Sequence, residues 1–462
     1  MKGGKSAPRK PLNREGGYLI TELHFRNIKC TRDMGIVSTV EMQIAERSRK
    51  YPGAALTNLH SYITPGYLQS CYEELNKNSS RGVDGKSWDE YKVNVKEDIE
   101  KLHSMFKKGS YRAPDIRRAY IPKGDGTKRP LGIPTVEDKI LQRAVSKLLT
   151  PIYEQEFYES SYGFRPGKSA HAALQSLFEE VSFRGKCYII DADIKNYFGS
   201  IQHQCLRDML DQRINDGVIR KQIDKWLKAG ILESGMVTYP KEGTPQGGSI
   251  SPVLSNIYLH YVLDKWFMEQ IQPLLKGGSS LIRFADDFLL CFTNKEDAER
   301  VLSVLPKRLL KYGLTLHPDK IRLIDLNNQD NDKRGFDFLG FTHYMGKSRR
   351  GKVILKRKTS SKKLRISLNK LCEWIKVNRH LPIKELIYDL NRKLRGYYEY
   401  YGITFNSRSL EKYYVQVERM LYKWINRRGG SRLVWEKYSN LIRNWRPLLR
   451  PKIYHSYQLA KP

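Results

Sequence analysis

Leu281-Ile282-Arg283-Phe284-Ala285-Asp286-Asp287-Phe288-Leu289-Leu290-Cys291-Phe292 is the stretch whose reading decides the fold. Apolar runs of strand length flank two adjacent carboxylates, so the segment predicts two strands joined by a tight turn with an acidic tip. Carboxylates crowded at such a tip repel each other and lose hydration, which is unfavourable unless a cation sits between them. A few hard oxygen ligands suit Mg²⁺, which keeps waters and substrate phosphates in its remaining positions. A solvated turn could carry the same residues, so the weight of the pair comes from the order of what precedes it.

A buried strand, Cys187-Tyr188-Ile189-Ile190, runs into Asp191-Ala192-Asp193-Ile194-Lys195-Asn196-Tyr197-Phe198. A carboxylate leaving that strand beside the acidic tip would complete a two-metal site for in-line displacement at a phosphate. Composition alone leaves Asp191 and Asp193 equal, and Asp191 also reads as a strand-end ion pair. Further upstream, Ile121-Pro122-Lys123-Gly124-Asp125-Gly126-Thr127-Lys128-Arg129-Pro130-Leu131-Gly132-Ile133-Pro134 predicts a basic hairpin turning at Gly124-Asp125-Gly126. Cations on such a hairpin can close over a triphosphate. Between the acidic elements, Gly243-Thr244-Pro245-Gln246-Gly247-Gly248-Ser249-Ile250-Ser251-Pro252 opens a helix-like run through Leu254, Ile257, Tyr258, Tyr261 and Val262. Paired glycines let backbone approach a ligand closely, and Ser or Thr with Pro starts the helix.

The chain has 462 residues, room for two or three domains, and 40% hydrophobic content, ordinary for a globular protein. Its net charge of +33 is not ordinary, and +23 of it falls in residues 341–462, where 30 Lys+Arg face 7 Asp+Glu. So large an imbalance implies a polyanion partner. No apolar run approaches the roughly 20 residues of a membrane span, and Met1-Lys2-Gly3-Gly4-Lys5 has no apolar signal core. Nucleic acid is the expected partner and a membrane is not. The six cysteines are scattered without a C-x-x-C pair, which argues against a zinc ribbon or a disulfide framework and suits a reducing cytosol.

Residues 1 to about 50 are basic with little periodicity, the first 17 reading as disordered. Helical patterns resume from Thr64 to Met105, and residues 111–341 alternate short apolar strands with amphipathic helices, one carrying Ile140, Leu141, Val145, Leu148 and Leu149. A polar basic stretch from Gly346 to Lys363 reads as a hairpin or linker. Three helices follow, with apolar faces Leu364/Leu368/Leu371/Ile375, Ile383/Leu386/Ile387/Leu390/Leu394 and Leu410/Val417/Leu421/Trp424.

In that order, the motifs closely resemble the reverse transcriptases of bacterial group II introns, the intron-encoded maturases. The resemblance spans about residues 64–455. It rests on R-G-V-D-G at 81–85, the basic hairpin with P-L-G-I-P, S-Y-G-F-R-P-G at 161–167, T-P-Q-G-G at 244–248, F-A-D-D at 284–287, L-T-L-H-P-D-K at 314–320, F-L-G-F at 338–341 and R-G-Y-Y-E-Y-Y-G-I-T at 395–404. It implies an α+β right-hand polymerase, with fingers and an antiparallel-sheet palm, followed by an α-helical thumb or maturase domain. The implied divisions are a basic N-terminal extension (1–63), fingers and palm (64–341), a basic linker or hairpin (342–363) and the helical domain (364–462).

Carried over by position, the resemblance makes Asp193, Asp286 and Asp287 the catalytic and Mg²⁺-binding carboxylates of a two-metal site. Lys123 and Arg129 would face the incoming triphosphate, Gln246 the template–nucleotide pair, and Phe198 the sugar, where a ring leaves no room for a 2′-hydroxyl. Gly199 stands where the family often has Asp, and is expected to loosen a local contact. Arg165, Arg392, Lys393, Arg395, Arg427 and Arg428 are expected to contact nucleic acid, while Tyr397, Tyr398, Tyr400 and Tyr401 divide between bundle core and RNA stacking. The implied partners are group II intron RNA, an RNA template with a DNA primer, target DNA and dNTPs. A cytoplasmic, nucleoid-associated ribonucleoprotein follows, and the paired cysteines of the family's endonuclease domain are not expected here. A domesticated relative in repair or phage defence, or a non-catalytic splicing factor, are the alternative readings.

Overall fold

The structure, a computed structural model, describes residues 39–122, 128–233, 235–240, 242–244, 247–327, 335–348, 350–429, 433–445 and 447–457. The expected disorder of the first 17 residues lies outside the described residues. Along the chain, α1 (Thr39–Lys50), α2 (Pro65–Glu73), α3 (Trp88–Lys92) and α4 (Val95–Lys107) precede a hairpin of β1 (Ile116–Pro122) and β2 (Lys128–Ile133). Helices α5 (Val136–Tyr153) and α6 (Ala170–Ser182) lead to β3 (Tyr188–Asp193), α7 (His203–Asp211), α8 (Gly217–Leu227) and the short β4 (Ile231–Glu233) and β5 (Met236–Thr238). Next come α9 (Ser251–Leu259), β6 (Ser279–Phe284), β7 (Asp287–Phe292), α10 (Lys295–Leu310) and β8 (Arg322–Asp325). Strands β9 (Phe336–Phe338), β10 (Phe341–Lys347) and β11 (Val353–Thr359) are followed by α11 (Ser361–Asn378), α12 (Ile383–Tyr401), α13 (Ser407–Ile425) and α14 (Trp435–Trp445).

Helix starts follow local chemistry. Thr135, Ser169, Asp216 and Ser360 each accept a backbone N–H of the first turn of α5, α6, α8 and α11. The three helices read from the basic tail are α11, α12 and α13. Two helices were not legible: α1, which buries only Ile44 and Ser48, and α14. The basic stretch after Phe341 is the hairpin β10–β11.

The palm is a four-stranded antiparallel sheet in the order β6-β7-β3-β8. A second sheet, β2-β1-β4-β5, is mixed because β1 pairs with β4 in parallel. The palm strands are covered on both faces, which is why β7 shows no polar alternation. Phe288, Leu290 and Phe292 enter one core with α5, α8 and α9, whereas Leu289 and Cys291 enter another with α6, β10–β11 and the helical domain. In β3, Ile190 and Ala192 face the first core and Ile189 the second. The N-terminal residues Ile44, Leu56, Leu59 and Ile63 are buried in the first core. Among the described residues no helix is long and apolar enough to cross a membrane.

Candidate active site

Strand β3 pairs with β7 so that Asp193 stands directly opposite Asp287, and Phe284 opposite Asp287 closes the β6–β7 turn over Ala285-Asp286. By the period of 2, Asp191 and Asp193 share a face with Ile189, and Asp287 shares it with Leu289 and Cys291. The acidic pair therefore lies on the sheet face that the helical domain covers. Ala285 takes φ +57°, a left-handed conformation that costs an alanine energy and persists where its surroundings enforce it.

Those surroundings are specific. Gly163, from S-Y-G-F-R-P-G, lies so close to the turn that a Cβ would come 2.2 Å from the Ala285 nitrogen. Tyr162 N–H donates to the Arg283 carbonyl and Arg283 N–H to Ser160, both at 2.8 Å. The Arg283 side chain, fully buried, donates to both carboxylate oxygens of Asp264 (2.7 and 2.5 Å), to Asn256 Oδ1 (3.0 Å) and to the Ala285 carbonyl (3.2 Å). Asn256 in turn donates to the Gly163 carbonyl at 2.7 Å. Asp264 closes a π-helical turn, His260–Asp264, that prolongs α9. Sequence reasoning passed over Arg283 and Asp264. The signal was a lone Arg in an apolar strand and a lone Asp in an apolar helix, since buried charges must be paired.

The electrostatics of the tip are strained toward neutralisation. Desolvation first, then the facing Asp286, Asp193 and Asp191 carboxylates, push the Asp287 carboxyl up to about 7, with Lys363 opposing. Asp287 nonetheless remains open to water. Asp286 is raised mainly by desolvation and by Asp193, against Arg129 and Arg283. Asp193 is ion-paired to Lys320 from L-T-L-H-P-D-K, whose His317 N–H donates to the Asp193 carbonyl at 2.8 Å. Asp191 is engaged by Arg322 at 3.0 Å, the strand-end ion pair that its position suggested. Among the described residues, no three His, Cys, Asp or Glu side chains stand together closely enough to hold a metal. Asp193 faces Asp287 with Asp286 next to it in the turn, and carboxylate oxygens are the donors that a hard divalent cation prefers.

The other motifs gather on this tip. Phe198 sits in a short 3₁₀ turn after β3, and its carbonyl accepts Thr244 N–H at 2.8 Å, while Gly243 N–H donates to Ile201. A Cβ on Gly243 would collide with Phe198 and Gly199 backbone, and one on Gly247 would come 2.4 Å from the Gly132 carbonyl of β2. The glycine-rich loop is thus wedged between the Phe198 turn and the basic hairpin. A Cβ on Gly199 would meet the Asn196 side-chain amide at 2.4 Å. Arg129 is exposed on β2, and its charge acts on Asp286. Lys123 and Gln246 lie outside the described residues.

The expected nucleic-acid contacts separate. Arg165 is buried, and all five of its N–H donors are used internally, on both Glu154 oxygens and the Phe157, Tyr158 and Ser161 carbonyls. It holds the S-Y-G-F-R-P-G loop and has no donor left for phosphate, a correction to its expected role. Arg392 and Arg395 are exposed on α12, Arg392 within 3.4 Å of Asp389, and the Lys393 ammonium lies over the Trp374 ring. Arg427 is exposed beside Trp424, and Arg428 is half-buried. The four tyrosines are all buried, Tyr397 stacking on Tyr413 at 3.7 Å, so they are bundle core.

A model described as "Reverse transcriptase (RNA-dependent DNA polymerase)" matches residues 121–343, and one described as "Group II intron, maturase-specific domain" matches residues 364–446. Protein YkfC of Escherichia coli (strain K12) is 29% identical over 354 residues, which cover 69% of this chain and 91% of that protein. Group II intron-encoded protein LtrA of Lactococcus lactis subsp. cremoris is 38% identical over 229 residues, covering 49% of this chain and 38% of LtrA. An "Uncharacterized 91 kDa protein in cob intron" of Schizosaccharomyces pombe is 31% identical over 343 residues, with 70% and 41% covered. The chain thus spans nearly all of one of these relatives and less than half of the other two.

Proposed function

The chain belongs to the reverse transcriptases that carry a group II intron maturase-specific domain, and we propose that it is the RNA-directed DNA polymerase and splicing maturase of such an intron. The observation that carries the polymerase reading is the register Asp193↔Asp287 beside the Asp286 turn. It sets Asp193 opposite Asp287, with Asp286 next to it in the β6–β7 turn. Reverse transcriptases depend on divalent metal ions. Here Asp193, Asp286 and Asp287 would hold two Mg²⁺. Bound there, the ions would acidify a primer 3′-hydroxyl and neutralise charge at the α-phosphate.

The chain's own residues orient the reactants. Primer 3′-oxygen forms the new P–O bond as the bond to pyrophosphate breaks, in line. The resemblance assigns Arg129 and Lys123 to the triphosphate of a dNTP, Gln246 to the template–nucleotide pair, and Phe198 to the exclusion of a 2′-hydroxyl. The exposed cations of the helical domain hold intron RNA by its phosphates, and the same protein meets target DNA during mobility. A cytoplasmic, nucleoid-associated ribonucleoprotein is the setting this implies.

The test is extension of an oligo(dT) primer on poly(rA) with Mg²⁺. Asp286→Ala is expected to abolish it while intron RNA binding persists. Full activity in that variant would sink the site.

A further inference from the structure

The glycine-rich loop, residues 243–248, is met at both ends by buried polar side chains that the polymerase reading leaves without a role. At its start, Gly243 N–H donates to the Ile201 carbonyl and Thr244 N–H to that of Phe198, both at 2.8 Å. His203, buried at the first position of α7, completes this end, its ring Nε2 lying 2.7 Å from the Gly243 carbonyl. A carbonyl only accepts, so Nε2 carries the proton and donates. Both backbone polar groups of Gly243 are thereby held by the segment that follows β3 and carries Phe198.

At the other end, a Cβ on Gly247 would stand 2.4 Å from the Gly132 carbonyl, and one on Gly248 would stand 2.6 Å from Gln142 Oε1. Gln142 is buried on α5, and its orientation is set one turn earlier by Asp138, also buried. One Asp138 oxygen accepts Trp226 Nε1–H at 2.6 Å and Tyr111 Oη–H at 3.2 Å, and the other accepts Gln142 Nε2–H at 2.8 Å. The carboxylate takes the amide nitrogen, so the amide oxygen is turned away from Asp138. It faces Gly248 and has no donor among the described residues. A buried acceptor so placed is unfavourable unless the loop supplies its donor.

We propose that His203 and Gln142 are positioning residues for nucleotide selection, holding the two ends of the glycine-rich loop so that it does not yield to a mismatched template–nucleotide pair. Only Pro245 and Gln246 separate the held ends in the sequence. This rests on the polymerase reading, and deepens it by assigning the residues behind its specificity. His203 acts from the segment after the acidic strand β3, and Gln142 from the helix after the basic hairpin. The loop therefore also registers those two elements against each other.

The experiment measures single-nucleotide insertion of matched dTTP and mismatched dCTP on poly(rA) with an oligo(dT) primer and Mg²⁺. Wild type is compared with His203→Leu, His203→Gln and Gln142→Met. His203→Leu and Gln142→Met are each expected to lower the matched-to-mismatched ratio of kcat/KM about tenfold. The loss is expected in KM for dTTP, with kcat falling by no more than about threefold. His203→Gln places an amide N–H where Nε2–H stands, and is expected to restore most of the selectivity. Should His203→Leu melt below the assay temperature, Gln142→Met carries the same expectation from the other end of the loop. Selectivity equal to wild type in both apolar variants overturns the proposal, as does a His203→Gln no more selective than His203→Leu. A fall in kcat at unchanged selectivity overturns it too, since that marks a general disturbance of the site. Wild type that binds the primer–template but inserts neither nucleotide overturns the polymerase reading instead.

Discussion

Phe198 is a single ring whose task depends on its backbone. Asn196 precedes it in a left-handed conformation (φ +47°), and the Phe198 carbonyl is tied to Thr244. The ring is partly buried against the core beneath it and cannot swing away freely. Shortening it should open space for a 2′-hydroxyl without moving the carboxylates. Phe198→Ala is expected to lower discrimination between dNTP and rNTP on the order of 10²-fold, with dNTP incorporation retained. Single-nucleotide kcat/KM for matched dTTP and UTP on poly(rA) measures this, and unaltered discrimination would remove Phe198 from the sugar site. The assignment came with the family resemblance, which implies an aromatic residue five positions after Asp193. That position 243 must be glycine to lie against Phe198 and Gly199 was not legible, because it depends on a backbone from 44 residues away.

At the scale of elements, the acidic hairpin is held in place by a buried ion pair. Arg283 on β6 and Asp264 on the π-helical turn are both fully shielded from water. Removing one partner leaves the other buried and uncompensated. Arg283→Met should therefore destabilise the protein by about 3–5 kcal/mol, read as a shift of the urea midpoint at constant slope. The double variant Arg283→Met with Asp264→Leu should recover much of that stability but lose polymerisation, since Ala285 and Asp286 lose their anchor. Recovery of both would show that the pair stabilises without positioning the tip. Helices α11 to α13 were legible because each has an apolar stripe at helical spacing. Helix α1 was not, because it buries a single apolar side chain, Ile44, where it docks on α5. The run after Pro252 was read as helical through Val262, but its π-helical widening from His260 was not legible, since one wider turn leaves no mark on the apolar spacing.

For the whole molecule, charge and buried histidines set the response to solution conditions. Burial pushes His171, beside His455, and His260 down to about 4, and His343, opposite Arg357, well below the ordinary value of 6.5. The folded state holds these rings neutral while the unfolded chain takes up protons. The stability they contribute is complete above pH 6.5 and is lost as pH falls toward 4. Asp138 and Asp287, raised to about 6 and 7, act in the opposite sense, so the clean comparison is a variant. Wild type should lose about 1.4 kcal/mol more per pH unit than His343→Leu between pH 6.5 and 4. Equal slopes in urea unfolding would contradict a neutral His343.

On the helical domain, Lys376, Arg379, Lys423 and Arg427 surround the Trp424 ring at 5.2–5.9 Å. Neutralising Lys423 and Arg427 together should reduce the salt slope of intron RNA binding by roughly 1.4–1.8 in log K against log [salt]. An unchanged slope would move the RNA to another face. By itself the sequence determined the strands, the acidic tip, the order of the polymerase motifs and the basic helical domain, because periodicity, turn chemistry and charge are local properties. Only the tertiary structure decided that Asp193 faces Asp287 while Asp191 is spent on Arg322, and that Arg165 and the four tyrosines are interior. Those outcomes depend on register and on which partner covers each face, and neither is set by residues close in the chain.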